Sequence, residues 1–310
     1  EAGDWPCDPD IADPLKWPML QGRAYDLAYR TVPQPFTADR VHDWPRGRLV
    51  GGSSCLHAMA HVRGHPDDFE AWVQAAGDDW SYAALQPYFA RSESFTGPVR
   101  AGRGLDGPLP VHLPDEEVSP VVRAYMEAGA ALGVPRLFDH NAGPLAGTSP
   151  NSLTIRNGRR VSVANAYLTG EVRARPNLTI LARTEVERLE AEGGRATRLI
   201  ATSAEGPLTL GADRIVLSLG AVATPLLLMR SGIGDPQALG AAGIPVRLDR
   251  HEVGANLQDH LLGLGNVYGA RRPVPPSRLQ HSESLMYLHS GDLRRAAGSP
   301  DIVLACVVAP

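Results

Sequence analysis

Apolar residues along this chain fall in short blocks divided by clusters of glycine and proline. Between Asp67 and Ser92, Phe69, Trp72, Leu85 and Phe89 recur at spacings that predict short helices. Val121 to Leu132 is alanine-rich and stops before Gly133 and Pro135, the pattern of a helix with a defined end. The rhythm then changes. Asn177 to Ala182 predicts a strand after the Arg175-Pro176 break, and Ala196 to Ser203 with Pro207 to Leu210 predict a small meander. Asp213 to Ser218, apolar through its centre, is expected as a buried strand running into Gly220-Ala221 and a helix. Such a strand-to-helix junction faces the ligand in a doubly wound α/β sheet. Ile302 to Pro310 reads as a further apolar strand, expected to lack a partner. Residues 1–46, rich in proline, read as extended loop, and 94–116 as a connector.

Composition narrows the class. A chain of 310 residues, 43% hydrophobic and 21% charged, has the makeup of a soluble globular protein with one large domain or two ordinary ones. Its net charge of −4 comes from interspersed signs, which argues against nucleic acid or an anionic membrane as partner. The longest apolar run, Leu219 to Met229, is too short to span a bilayer and contains Pro225. The N-terminal residues do not have the pattern of a signal peptide. Cys7, Cys55 and Cys306 are widely spaced with no CxxC, which argues for a reducing compartment, the cytoplasm, and against a zinc site. Asn177-Leu-Thr179 then reads as a turn rather than a glycosylation site.

The chemistry concentrates in Gly47-Arg48-Leu-Val-Gly51-Gly52-Ser53-Ser54-Cys-Leu56-His57-Ala58-Met59-Ala-His61-Val-Arg63-Gly64. Adjacent glycines let a backbone approach a ligand closely. Ser53 and Ser54 suit the N-cap of a helix over Cys55 to Val62, and free amides at a helix start bind phosphate. His57, His61 and His65 would form one stripe on such a helix. A zinc set is the alternative reading, but Gly64 and Pro66 interrupt the helix before His65. Gly102-Arg-Gly104-Leu-Asp-Gly107 satisfies GxGxxG, yet it neither follows a strand nor opens a helix, so it is rejected as a cofactor loop.

The glycine segment closely resembles the first signature of the glucose–methanol–choline (GMC) flavoprotein oxidoreductases. Gly220-Ala-Val-Ala-Thr224-Pro225 through Ser231-Gly232-Ile-Gly234 resembles the second. Arg160-Val-Ser162 through Leu168, Arg175 to Thr179 and Val253-Gly254 through His260 echo further family segments, the last read as structural.

The resemblance implies an α/β fold: an FAD-binding doubly wound, Rossmann-like domain interleaved with an antiparallel-sheet substrate domain. It places flavin-binding parts at 1–110 and 159–266, and substrate-domain parts at 111–158 and 267–310. Glu1-Ala2-Gly3 matches the ribose-binding end of the family's first dinucleotide unit, whose glycine loop is expected upstream. The implied cofactor contacts are Glu1, Arg48, Gly51, Gly52, Ser53, His57, Ala58, Met59, Val186 and Gly220. Leu56 stands where some relatives carry a flavin-linking histidine, so FAD is expected to be non-covalent. His57 replaces the usual asparagine, as in aryl-alcohol oxidases, and His61 replaces an aromatic residue.

The implied reaction oxidises a primary, aromatic alcohol to the aldehyde, with hydride passing to flavin N5. Pyridoxine to pyridoxal is the specific expectation, with oxygen or another electron acceptor. No catalytic residue is assigned within the chain; a histidine base is expected beyond Pro310, and the chain is read as a central fragment of the family pattern. Rival readings are a choline or aliphatic alcohol dehydrogenase, a redox-silent hydroxynitrile lyase, a non-catalytic remnant and, most distantly, an NAD-dependent dehydrogenase.

Overall fold

The computed structural model describes residues 1–97, 102–114, 116–261, 263 and 266–308. Part of the 94–116 connector and the last two residues of the C-terminal apolar segment lie outside them. The chain forms two compact units that interleave along the sequence: residues 6–179 with 270–310, and residues 1–5 with 180–269.

The larger unit opens with proline-started 3₁₀ turns at Pro9–Ala12 and Pro14–Met19, each capped by the aspartate before it. Proline fits the first position of a helical turn because its missing N–H has no partner there anyway. A two-residue ladder follows, β1 (Tyr29–Arg30) with β2 (Asp43–Trp44). The expected helical region resolves into a 3₁₀ turn Pro66–Phe69, α1 (Glu70–Ala76) and α2 (Tyr82–Ser92). Phe69 is their hub, meeting Trp72, Tyr82 and Phe89 edge-on.

Next, β3 (Glu93–Thr96) pairs in parallel with β4 (Leu109–His112), burying Phe95 and Val111. The expected helix is α3 (Pro120–Ala131), whose Val122 and Met126 lie in the core. It packs on an antiparallel sheet ordered β14 (Ile302–Cys306), β13 (Ser284–Leu288), β5 (Gly147–Pro150). The C-terminal strand therefore has a partner after all: Ser284 to Leu288 pair with Cys306 to Ile302. A tight hairpin joins β6 (Ile155–Arg156) to β7 (Arg159–Arg160). Its two loop residues, Asn157 and Gly158, both have positive φ, 53° and 67°, as a type I′ turn requires. Two short helices follow, α4 (Val163–Tyr167), closed by a Ser162/Asn165 capping box, and α5 (Gly170–Arg173).

The smaller unit contains an antiparallel meander of β8 (Thr184–Glu192), β9 (Arg195–Ser203) and β10 (Gly206–Gly211); the last two are the expected strands, and β8 adds a third. Helix α6 (Gly220–Arg230) packs on β8, and the Ser231 hydroxyl accepts the Leu189 amide at 2.8 Å. A parallel pair, β11 (Ile233–Gly234) with β12 (Leu248–Asp249), flanks α7 (Pro236–Ala241).

Two expected strands are not strands here. Asn177 to Ala182 turns and then runs extended beside residues 1–3, with the Glu1 ammonium donating to the Leu181 carbonyl at 3.0 Å. Asp213 to Ser218 is extended and mostly exposed, Val216 at 78%, because no strand among the described residues lies alongside to form a ladder. No helix of the described residues is long and apolar enough to cross a membrane.

Candidate cofactor site

The Gly47–Arg63 segment is a loop, not the expected helix. Only one 3₁₀ turn forms, Gly52–Cys55, and its N-cap is Gly51 without any side-chain cap. Ser53 and Ser54 do other work. Ser53 Oγ accepts the Gly47 amide at 3.1 Å, whereas Ser54 Oγ donates to Gly51 O at 2.5 Å and accepts the Val163 amide at 3.0 Å. The helix fails beyond Leu56 because the backbone is used elsewhere. Met59 O accepts the Thr154 amide at 2.9 Å, and the His61 amide donates to Ser152 O at 2.8 Å. Pairing with 152–154 and a left-handed Met59, φ 60°, replace the i to i−4 bonds.

The glycines are fixed by geometry. A Cβ on Gly47 would strike the Gly52 backbone, so the two ends of the turn touch. Gly51 has φ 105°, and a Cβ there would lie 3.0 Å from both Ala164 Cβ and Cys55 Sγ. Gly52, φ 53°, has open space where its Cβ would be. That open, left-handed glycine is the face on which a ligand can approach the main chain.

The histidine stripe dissolves with the helix. His57 is exposed at one edge and crowded by protein on its others. That desolvation, followed by the Arg160 guanidinium, holds its pKa below 6.5. Its Nδ1 accepts the Met59 amide at 3.0 Å. His61 points inward, its Nε2 3.4 Å from Glu93 Oε2. His65 caps the Pro66–Phe69 turn, accepting the Asp67 amide at 3.2 Å. Among the described residues no cluster of three His, Cys, Asp or Glu could hold a metal ion.

The remaining expected contacts divide between the units. In the larger, Arg48 and Ser53 are exposed and Ala58 is half-buried. Met59 is fully buried among Leu153, Ile155 and Leu279, and its main chain is engaged, so it shapes the loop and offers no free group. In the smaller unit Glu1 and Val186 come to one edge: the Thr184 amide, two residues before Val186, donates to Glu1 O at 2.8 Å. The Glu1 carboxylate is exposed and accepts the Gly3 amide at 2.8 Å. Gly220 opens α6 with φ 89° and free space around it, and the helix start has no side-chain cap.

Beneath the loop lies a buried charge cluster that no spacing in the sequence announced. Glu93, fully buried, accepts from Arg63 Nη2 at 2.5 Å, from Arg103 Nε at 2.8 Å and from the Gly104 amide at 2.9 Å. Arg103 also pairs with Asp139 at 2.5 Å. Burial alone would push Glu93 up; the nearby His61 ring and the hydrogen bonds from Arg103 and Gly104 outweigh it and hold its pKa at about 2. The rejected GxGxxG belongs here. A Cβ on Gly104 would overlap Ala90 O and one on Gly107 the Glu93 backbone, and a strand, β4, follows rather than a helix. Those glycines serve close packing.

With this geometry in place, the sequence pattern of GMC oxidoreductases matches residues 33–262. The chain belongs to the GMC oxidoreductase family. It is 51% identical over its whole length to a pyridoxine 4-oxidase of Microbacterium luteolum, covering 61% of that protein. An oxygen-dependent choline dehydrogenase of Paraburkholderia phymatum is 39% identical over 82% of the chain and 45% of its own length. The crystal structure of pyridoxine 4-oxidase from Mesorbium loti superposes with a TM-score of 0.95 at 54% identity, over 99% of this chain and 60% of that one. A formate oxidase structure, 27% identical, gives 0.79 over 93% of this chain and 56% of that one. The chain thus spans about three fifths of the pyridoxine 4-oxidases it matches. The α/β architecture is that of the GMC structures.

Proposed function

We propose that this GMC chain serves the FAD-dependent oxidation of a primary aromatic alcohol to its aldehyde, with pyridoxine to pyridoxal first and oxygen as the acceptor. The observation that carries the reading is 51% identity along the entire chain to a pyridoxine 4-oxidase, joined to a TM-score of 0.95 with another. FAD, when bound, supplies the hydride acceptor.

Each unit carries residues that we assign to FAD. Gly51, Gly52, Ser53, His57 and Ala58 present an open glycine turn and an outward imidazole edge. Glu1 offers an exposed carboxylate suited to ribose hydroxyls, and Val186 and Gly220 an apolar contact and an uncapped helix start. The flavin-binding assignment of 1–110 with 159–266, and the substrate-domain assignment of 111–158 with 267–310, belong to this proposal. Attachment is non-covalent, because Leu56, buried at the position a linking histidine would take, has no nucleophilic atom. We assign no catalytic base among the described residues. His57 orients its ligand by hydrogen bonding. Among the described residues Cys7, Cys55 and Cys306 form no disulfide, which accords with a cytoplasmic setting.

The test uses the full-length protein and records its absorbance before and after anaerobic pyridoxine. A flavin spectrum that bleaches, with the chromophore released into the supernatant on acid precipitation, supports the reading. Bleaching by choline instead would favour the second reading, motivated by the choline dehydrogenase relatives. Flavin that no alcohol bleaches would favour a lyase, and a colourless protein would sink the proposal.

A further inference from the structure

Arg160 is 3% exposed, and its charge meets no carboxylate among the described residues. Its Nε donates to Ile11 O at 2.8 Å, and Nη1 donates to His57 O at 2.5 Å and Ser54 O at 3.3 Å. Nη2 is buried without a hydrogen-bond partner among the described residues. The titratable groups facing it are Cys55, Tyr25 and His57. Burial, with Asp8 beside it, raises Tyr25 to about 12, so the phenol is neutral at physiological pH. Burial lowers Arg160 itself to about 10, so it remains a cation there. A buried cation held only by carbonyls is costly, since no ion pair offsets its desolvation. A neutral side chain would fill the same space more cheaply, so the charge calls for another explanation.

The explanation lies 3.4 Å away, at His57 Nδ1. That nitrogen faces Arg160 Nη1 and the Met59 amide, 3.0 Å off. Both are donors and neither can accept, so Nδ1 must present its lone pair. The single proton of the neutral ring then sits on Nε2, which meets no protein acceptor among the described residues. The Asn157-Gly158 turn delivers Arg160 to this place, and the Gly51–Met59 loop wraps over it.

We propose that Arg160, with the Met59 amide, is a positioning residue that locks His57 as the neutral Nε2–H tautomer, so that His57 meets its ligand as a hydrogen-bond donor and not as a base. The ligand it suits presents an acceptor atom to Nε2–H. Only the identity of that acceptor rests on the flavin reading.

The experiment is ¹⁵N NMR of the full-length protein labelled at histidine, with His57→Asn used to assign the signals. The wild type is expected to show one His57 tautomer, Nδ1 unprotonated, with the imidazolium only a minor form at pH 6.5. In Arg160→Gln the imidazolium fraction at pH 6.5 is expected to rise at least fivefold, with the second tautomer appearing. Arg160→Lys keeps the charge and is expected to return the titration towards the wild type. A wild-type His57 bearing its proton on Nδ1, or doubly protonated at pH 7, overturns the proposal. So does an Arg160→Gln protein whose His57 signals are unchanged. Should Arg160→Gln fail to fold, the wild-type tautomer and the Arg160→Lys titration still decide. A colourless protein with the stated tautomer removes the flavin reading alone; a yellow protein with the other tautomer removes this one alone.

Discussion

Replacing Glu93 by glutamine keeps the shape of the side chain and deletes its charge from between two buried guanidiniums. Four hydrogen bonds converge on the carboxylate, and Arg103 and Arg63 have side chains no more than 2% exposed. Glutamine would turn two of its own N–H bonds towards these donors and leave one buried cation uncompensated. Breaking a buried pair from one side destabilises by about 3–5 kcal/mol. The folded-state pKa gives an independent route to the same quantity. A drop from 4.5 to about 2 corresponds to on the order of 3 kcal/mol of preference for the ionised form in the fold. Because the folded value is depressed, this stabilisation is complete above the unfolded value of 4.5 and is lost as pH falls towards 2. Thermal and urea unfolding of the full-length protein, wild type against Glu93→Gln, read both effects. At roughly 2 °C or more per kcal/mol, the variant should melt at least about 6 °C lower at pH 7 and show a flatter acid limb. A variant within about 1 kcal/mol of the parent at pH 7, or one with an equally steep limb between pH 4.5 and 2, overturns this account.

Other consequences are as direct. Gly51→Ala should lose about 1–3 kcal/mol of stability, since φ 105° and 3.0 Å contacts both oppose a Cβ; chemical denaturation measures it. Gly52→Ala has room, so it should lose only about 1–2 kcal/mol of stability yet weaken FAD at least tenfold in fluorescence titration; unchanged FAD binding would count against the open face as cofactor contact. Gly158→Val should lose about 1–2 kcal/mol by opposing φ 67° in the hairpin, visible as a lower melting temperature. Burial holds His57 and His140 below the ordinary 6.5, so protonating them opposes the fold. Stability should therefore begin to fall as pH drops below about 6.5, well before the Glu93 window, and a stability profile flat from pH 7 to 5 would contradict this.

What the sequence disclosed was local in origin. Helices α1 to α3 and the β9–β10 hairpin follow from spacings within ten or so residues, and their caps and turns sit beside them. Cys55 to Val62 carries the same kind of apolar signal and is no helix. Its hydrogen-bonding groups are claimed by residues 152–154, a competition that no local window contains. Asp213 to Ser218 has the composition of a buried strand, but a ladder needs a neighbour, and the pattern of one strand cannot supply another. Arg160 was nearer to legible. Asn157-Gly158 is a strong hairpin signal, and recognising it would have placed a charged residue on a short strand returning to the interior.

The Glu93 cluster lay further from reach, because Arg63, Glu93, Arg103 and Asp139 share no periodicity. Yet it explains the oddest feature of the sequence, a dinucleotide-like glycine pattern in the wrong context. Gly104 has no side chain because its amide must reach Glu93 past Ala90 O. Gly102 turns with φ 80° so that its carbonyl meets Arg63 at 2.8 Å. Arg63 in turn lies near the end of the first family motif, its amide held by Asn141 Oδ1 at 2.8 Å. The loop that carries Gly51, Gly52 and His57 is therefore clamped twice: by Arg160 at its middle and by the Glu93–Arg63 pair at its end. A loop with a single 3₁₀ turn needs such anchors, since it lacks the run of i to i−4 bonds that would otherwise fix its conformation. Both anchors use arginine because one guanidinium can hold several carbonyl or carboxylate oxygens at once, which a lysine ammonium does less rigidly.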